Sequence, residues 1–192
     1  MKAFKLLLVW VLFLNPFGSE QAKAADSYKV DAGHTSVLFG IKHLNVSMFY
    51  GRFNESEGTI VYDAANPGNS SVEFRIKSES VDTFNEKRDK HIKGPDFFNA
   101  KQFPVIEFRS EKVKKLKDGR LEVSGKMSFL GITKPLTVVL VKTGEGKDPW
   151  GGYRIGFETK FSFKRSDFGM NYMLKGLSDE IQMTVSIEGI KK

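Results

Sequence analysis

Three histidines are the residues best able to do chemistry in this chain: His34, His43 and His91. Three imidazoles and a water would suit a zinc ion, and an exported metal-dependent hydrolase would follow. The spacing argues against it. His34 and His43 are an odd number of residues apart, so on one straight strand they face opposite sides. No His-x-x-x-His or His-x-His pair occurs. His43 is better read as a polar group near a ligand head or satisfied within a sheet, and His34 and His91 as structural. There is no cysteine. That removes disulfides, thiolate zinc sites, thiol catalysis and cysteine-ligated iron–sulfur clusters. No Gly-x-Ser-x-Gly elbow and no acidic pair of glycosidase type is present. The residues therefore assign no catalytic group, no metal and no cofactor.

The elements that would position these residues are strands. Val37, Phe39 and Ile41 alternate with Leu38, Gly40 and Lys42, and Val72, Phe74 and Ile76 alternate with Glu73, Arg75 and Lys77. The longest run places Ile155, Phe157, Thr159, Phe161 and Phe163 on one side and Glu158, Lys160, Ser162 and Lys164 on the other. A period of two means one dry face and one wet face. The pattern predicts eight antiparallel strands near 34–44, 49–62, 70–77, 104–116, 120–130, 135–143, 153–164 and 180–190. Turn signals separate them at Asn66-Pro67-Gly68-Asn69, at Asp118-Gly119 (read as a two-residue type I′ turn), at Gly131 to Pro135 and at Gly144 to Gly152. Such a mainly β chain forms a sandwich or a closed barrel. Ser78 to Phe103 is too long for a hairpin turn. Within it Thr83 and Glu86 fit a capping box, and Gly94-Pro95 stops the helix. A second short helical piece is expected over 97–101, so two pieces of helix cross from strand three to strand four.

Residues 1–24 read as a signal peptide. Lys2 and Lys5 precede an apolar run from Leu6 to Leu14, too short to span a bilayer, and Ala22-Lys23-Ala24 offers a small-x-small cleavage site. Residues 25–192 are then one exported domain. The leader takes Lys2, Lys5, Lys23 and Glu20 with it, so the net charge falls from +7 to +5. That mild charge on an exported chain excludes nucleic acid as the expected partner. The basic run Lys112 to Arg120 either meets anionic lipid head groups in a transient membrane contact or is a solvated hairpin whose lysines prevent edge pairing.

Several pieces occur together in a characteristic order. They include His34-Thr35-Ser36, Lys42-His43-Leu44, Gly51-Arg52-Phe53 and Arg88-Asp89-Lys90-His91. Asp96-Phe97-Phe98-Asn99-Ala100-Lys101-Gln102-Phe103-Pro104 follows. Gly125, Gly131-Ile132-Thr133-Lys134-Pro135, Asp148-Pro149-Trp150-Gly151-Gly152 and Arg165-Ser166-Asp167-Phe168-Gly169 complete the set. This ordered set resembles the YceI-like family of exported isoprenoid-binding proteins, and the Asp148 to Gly152 stretch is similar to its Gram-negative periplasmic branch. The resemblance implies a lipocalin-like eight-stranded barrel, a periplasmic location and no enzymatic activity. It also implies a long-chain isoprenoid or other amphiphilic lipid as the partner, sequestered or transported. It implies nothing about oligomeric state.

An eight-stranded barrel is either filled by side chains or holds one small ligand. If it holds a lipid, the inward positions Phe39, Ile41, Phe53, Phe74, Phe108, Met127, Phe157, Phe161 and Phe163 meet the tail. Phe97 and Phe98 close one end, and His43 sits near the head. If it is filled, the same residues are core, and the protein is a stress-related or interaction scaffold. Met170, Tyr172, Met173 and Leu174 form an apolar loop after the seventh strand, either an adaptable mouth or a packed turn.

Overall fold

The computed structural model describes residues 25–192; the expected signal peptide lies outside them. Eleven strands form one antiparallel sheet that closes on itself. They are β1 (Asp26–Val30), β2 (Ser36–His43), β3 (Ser47–Phe53), β4 (Ser56–Tyr62), β5 (Ser71–Lys77), β6 (Val81–Asp82), β7 (Val105–Lys115), β8 (Leu121–Phe129), β9 (Ile132–Lys147), β10 (Tyr153–Lys164) and β11 (Leu177–Lys191).

The ring still has eight staves, because three of them are each made of two strands. β11 pairs along one edge with both β2 and β1, so these two are halves of one stave bent at Asp31–Thr35. β3 and β4 likewise pair with β2 and β1 as halves of the next stave. The second break, at Asn54 and Glu55, interrupts the run expected from 49 to 62. There the backbone N–H groups of both residues turn to Ser80, one to its carbonyl and one to its hydroxyl. The third stave bends in step, from β5 through a single 3₁₀ turn at Ser78–Ser80 into β6, which pairs with β3. Alternating apolar residues on both sides of such a bend hide it from a periodicity reading.

The crossover from Asp82 to Pro104 fills the gap this bend leaves beside β7. It holds one helix, α1 (Glu86–Ile92), and the expected second piece at 97–101 is a series of turns. Asn85, not Thr83, caps α1 by accepting the Arg88 N–H at 2.9 Å. The Thr83 hydroxyl is already engaged, donating to Asp89 and accepting from Arg88 Nε at 2.8 Å.

The hairpin turns also differ from expectation. The two-residue turn with both residues at positive φ is Leu130-Gly131, at 50° and 75°. At Asp118-Gly119 only Gly119 is left-handed, and the loop runs from Leu116 to Arg120, closed by Gly119 N–H donating to Leu116 O at 3.0 Å. A wider hairpin needs only one left-handed residue. β9 also runs on through Lys147, so only residues 148–152 remain as loop. Opposite the register shift of β7, Gly125 has no room for a side chain, since a Cβ would lie 2.2 Å from Arg109 O. Gly125→Ala should therefore cost about 2–3 kcal/mol and lower the melting midpoint by roughly 6–10 °C, as thermal denaturation would show.

Both ends of the described chain lie at one pole of the barrel. Lys191 Nζ pairs with Asp26 at 2.6 Å, and Lys192 N–H donates to Ser27 O at 2.9 Å. Tyr28 and Ile155, each 1% exposed, lie in the core near this pole, where burial first of all pushes the Tyr28 hydroxyl up to about 12. Tyr62 packs edge-on against Phe157 at 5.6 Å above them. The β7–β8 hairpin with the Lys112 to Arg120 run is at this same closed pole.

Candidate functional site

The inward faces of the staves enclose a cavity of about 500 Å³. That volume is typical of sites for small molecules and cofactors. Eleven phenylalanines contribute to its wall. The long alternation of β10 shows how it is shaped: Phe157 and Thr159 are buried, whereas Phe161 and Phe163, on the same side, keep part of their surface accessible. The barrel is therefore packed at the floor and hollow above.

An aromatic collar surrounds the hollow part. Phe39, Phe53, Phe98, Phe129, Phe163 and Phe161 follow one another ring to ring, with centroids 5.3–6.5 Å apart. Edge-on and tilted aromatic pairs at such distances favour each other beyond simple burial. Phe98 belongs to the crossover, so the helical segment supplies the link that the bent staves leave open.

Only four lining residues are exposed: His43, Arg88, His91 and Met173. They belong to the end of β2, to α1 and to the 170–177 loop, which together mark the mouth at the pole opposite the chain ends. His91 Nε2 donates to Asp96 at 3.0 Å, and its ring packs edge-on against Phe97 and Tyr172. The Arg88 guanidinium lies 4.4 Å from the centre of the Phe49 ring, a cation–π contact, and donates to the Thr83 carbonyl at 2.6 Å.

The cavity wall carries all twelve residues singled out above: Phe39, Ile41, His43, Phe53, Phe74, Phe97, Phe98, Phe108, Met127, Phe157, Phe161 and Phe163. The structure brings them together around one space and does not fill it with their side chains. It adds Phe49, Phe129, Leu136, Met183 and Val185, whose signal was the same alternation on neighbouring strands.

Arg165 had no such signal. It is 0% exposed and lines the cavity. Its guanidinium donates to four carbonyls, those of Met170 (3.1 Å), Tyr172 (2.7 Å), Leu177 (3.2 Å) and Ser178 (3.0 Å). One side chain thus ties down the loop that forms one lip of the mouth. Burial pulls its pKa down, opposed by the charge of Asp179.

Thr159 is the one buried side chain whose polar atom finds no partner among the described residues. An unpaired hydroxyl in an apolar wall is destabilising, so Thr159→Val should raise the melting midpoint of ligand-free protein by a few degrees. A fall would show that the hydroxyl has a partner in solution.

The three histidines do not converge. His43 and His91 are at the mouth. His34 lies at the other end of β2, ~23 Å away by the rise of a strand. His34 Nδ1 donates to Asp31 at 2.9 Å. Asp31, His34 and Glu188 do form a cluster of metal-ligand types. The Arg154 guanidinium stands in it, 2.7 Å from Asp31 and 2.5 Å from Glu188, and Arg154 Nε reaches Asp148 at 2.9 Å. A metal ion would have to displace that cation. The hydrogen bonds from His34 and then Arg154 hold the Asp31 carboxyl at about 2. Because this lies below its unfolded value, the stabilisation is present above about pH 4 and is lost as pH falls toward 2. Asp31→Asn should remove about 1–2 kcal/mol of the acid dependence of stability, measured as the change in unfolding midpoint between pH 5 and pH 2.

Comparison with known proteins agrees with this geometry. A YceI-like domain is matched over residues 28–189. A UPF0312 protein of Pseudomonas aeruginosa is 41% identical over 178 residues, 92% of either chain. Among solved structures, Burkholderia cenocepacia BcnA superposes with a TM-score of 0.76 at 21% identity, covering 83% of this chain and 98% of that one. A polyisoprenoid binding domain from Saccharophagus degradans superposes at 0.68 and 13% identity, covering 86% and 98%. At those identities the structures speak for the barrel alone, whereas the domain match spans nearly all of the ring, and by it the chain belongs to the YceI-like family.

Proposed function

We propose that the protein is an exported lipid-binding protein that holds the tail of an isoprenoid or similar long-chain amphiphile in its barrel, sequestering or carrying it through the periplasm. The observation that carries this reading is the hollow, phenylalanine-lined cavity open at one pole. Each CH₂ moved from water into such a space contributes about 0.8 kcal/mol, so a tail of many carbons binds without polar contacts along its length. The Saccharophagus degradans domain, a polyisoprenoid binder on the same barrel, supports this class of ligand.

In this reading the other eleven of those wall residues meet the tail, with His43, Arg88 and His91 around the head at the mouth. The protein performs no reaction; the wall offers burial, and the cluster around Arg154 is structural. Mass spectrometry of purified protein, native and then after organic extraction, tests the proposal. A stoichiometric long-chain adduct is expected. A protein that stays empty after incubation with isoprenoid lipids would overturn it, leaving the barrel as a scaffold for surface contacts.

A further inference from the structure

Exposed apolar residues gather at the mouth on two loop tips. Leu44 and Val46, between β2 and β3, are 55% and 82% exposed; Met173 and Leu174, in the loop before β11, are 47% and 42% exposed. The tips are joined, with Leu44 N–H donating to Gly176 O at 2.7 Å. Met173 Cε and Leu44 Cδ2 both lie close to Gly176, 3.1 and 3.6 Å from where its Cβ would be. Leu44 and Met173 therefore come together at the rim of the cavity, with Val46 and Leu174 exposed on the same two tips.

Two of them hold unfavourable backbone conformations. Leu44 has φ 49° and Met173 has φ 53°. Glycine or asparagine would suit these left-handed positions and these exposed sites better. Large apolar residues are kept where both backbone sterics and solvation disfavour them, which points to a role outside the folded monomer.

The surrounding charge is suited to an anionic surface. Lys42, Lys90, Lys93 and Lys175 stand around the tips and make no ion pair among the described residues. Of the acids nearby, Asp89 is taken by Thr83, Asp96 by His91 and Asp179 by Ser166, and Glu86 and Glu180 remain. The more basic Lys112 to Arg120 hairpin is at the opposite pole and has no comparable apolar tip beside the cavity.

We propose that the mouth pole docks on an anionic phospholipid bilayer, with Leu44, Val46, Met173 and Leu174 in the interface and the four lysines among the head groups. The ligand then passes between bilayer and cavity without crossing water. This passage rests on the carrier reading; the docking itself does not.

The test is flotation with vesicles of phosphatidylethanolamine and phosphatidylglycerol at physiological salt. It uses a chain beginning at Ala25, which contains every strand of the closed ring. Three proteins are compared: the parent, Leu44→Ser/Met173→Ser/Leu174→Ser, and a closed-pole control, Lys114→Gln/Lys115→Gln/Lys117→Gln. Unchanged melting midpoints establish that all three fold. Docking by the mouth predicts that the first triple variant loses at least tenfold in vesicle binding while the control stays within twofold of the parent. A parent that does not float, or a first triple variant that floats equally well, overturns the proposal. So does loss of binding in the control alone. Extraction and mass spectrometry of the same proteins report carriage separately, so an empty parent that still floats through its mouth overturns the carrier reading and keeps the docking.

Discussion

Replacing Arg165 by leucine is expected to destabilise the protein by about 3–5 kcal/mol, lowering the melting midpoint by roughly 6–20 °C. The reason is the four carbonyls that its guanidinium satisfies, all from the segment Met170 to Ser178. Leucine fills some of the space and leaves those acceptors facing an apolar wall. Water can reach some of them only if the loop opens. Hydrogen exchange should therefore accelerate first at residues 170–177, with β8 and the lower half of β10 protected until global unfolding. Arg165→Lys keeps the charge but has three donors on one nitrogen and cannot span four carbonyls. Its loss should fall between parent and leucine variant. Equal midpoints for all three proteins would show that the guanidinium does not organise the loop.

Filling the cavity should have the largest effect on binding. Val138 and Val185 are buried on β9 and β11, and both line the empty space. Val138→Phe/Val185→Phe adds two rings to a volume of about 500 Å³. In a packed core such additions cost ~1–3 kcal/mol each through overpacking. Here they enter unoccupied space, so the melting midpoint of ligand-free protein should hold or rise. The long-chain adduct expected for the parent should be missing from the variant's mass spectrum, with affinity reduced at least a hundredfold, because several tail carbons lose their place. Retention of a stoichiometric adduct would mean that the tail lies elsewhere on the protein.

The contrast between these two experiments follows how the wall is encoded. Val185 and the phenylalanines of β10 lie in plain alternation, and a period of two is enough to place them on the wall. Arg165 breaks that logic. It follows directly on β10, where alternation would place an apolar side chain, and its role depends on carbonyls contributed by a loop with no period at all. The bend at Asn54–Glu55 was hidden for a related reason, since apolar alternation continues on both sides of it, whereas β1 (Asp26–Val30) was not expected at all. The cap of α1 was misplaced because Thr83 and Asn85 are both good caps, and Asp89 within α1 engages Thr83 and leaves the capping to Asn85. Periodic placement was readable; the competition of polar groups for side-chain partners was not.

The meeting of both chain ends at the closed pole gives the barrel a direction. Whatever is attached before Ala25 or after Lys192, whether a fused domain or a solid support, holds the floor and leaves the opening facing outward. The same holds for any membrane-bound extension at either end: it would keep the floor at its membrane and turn the opening away from it.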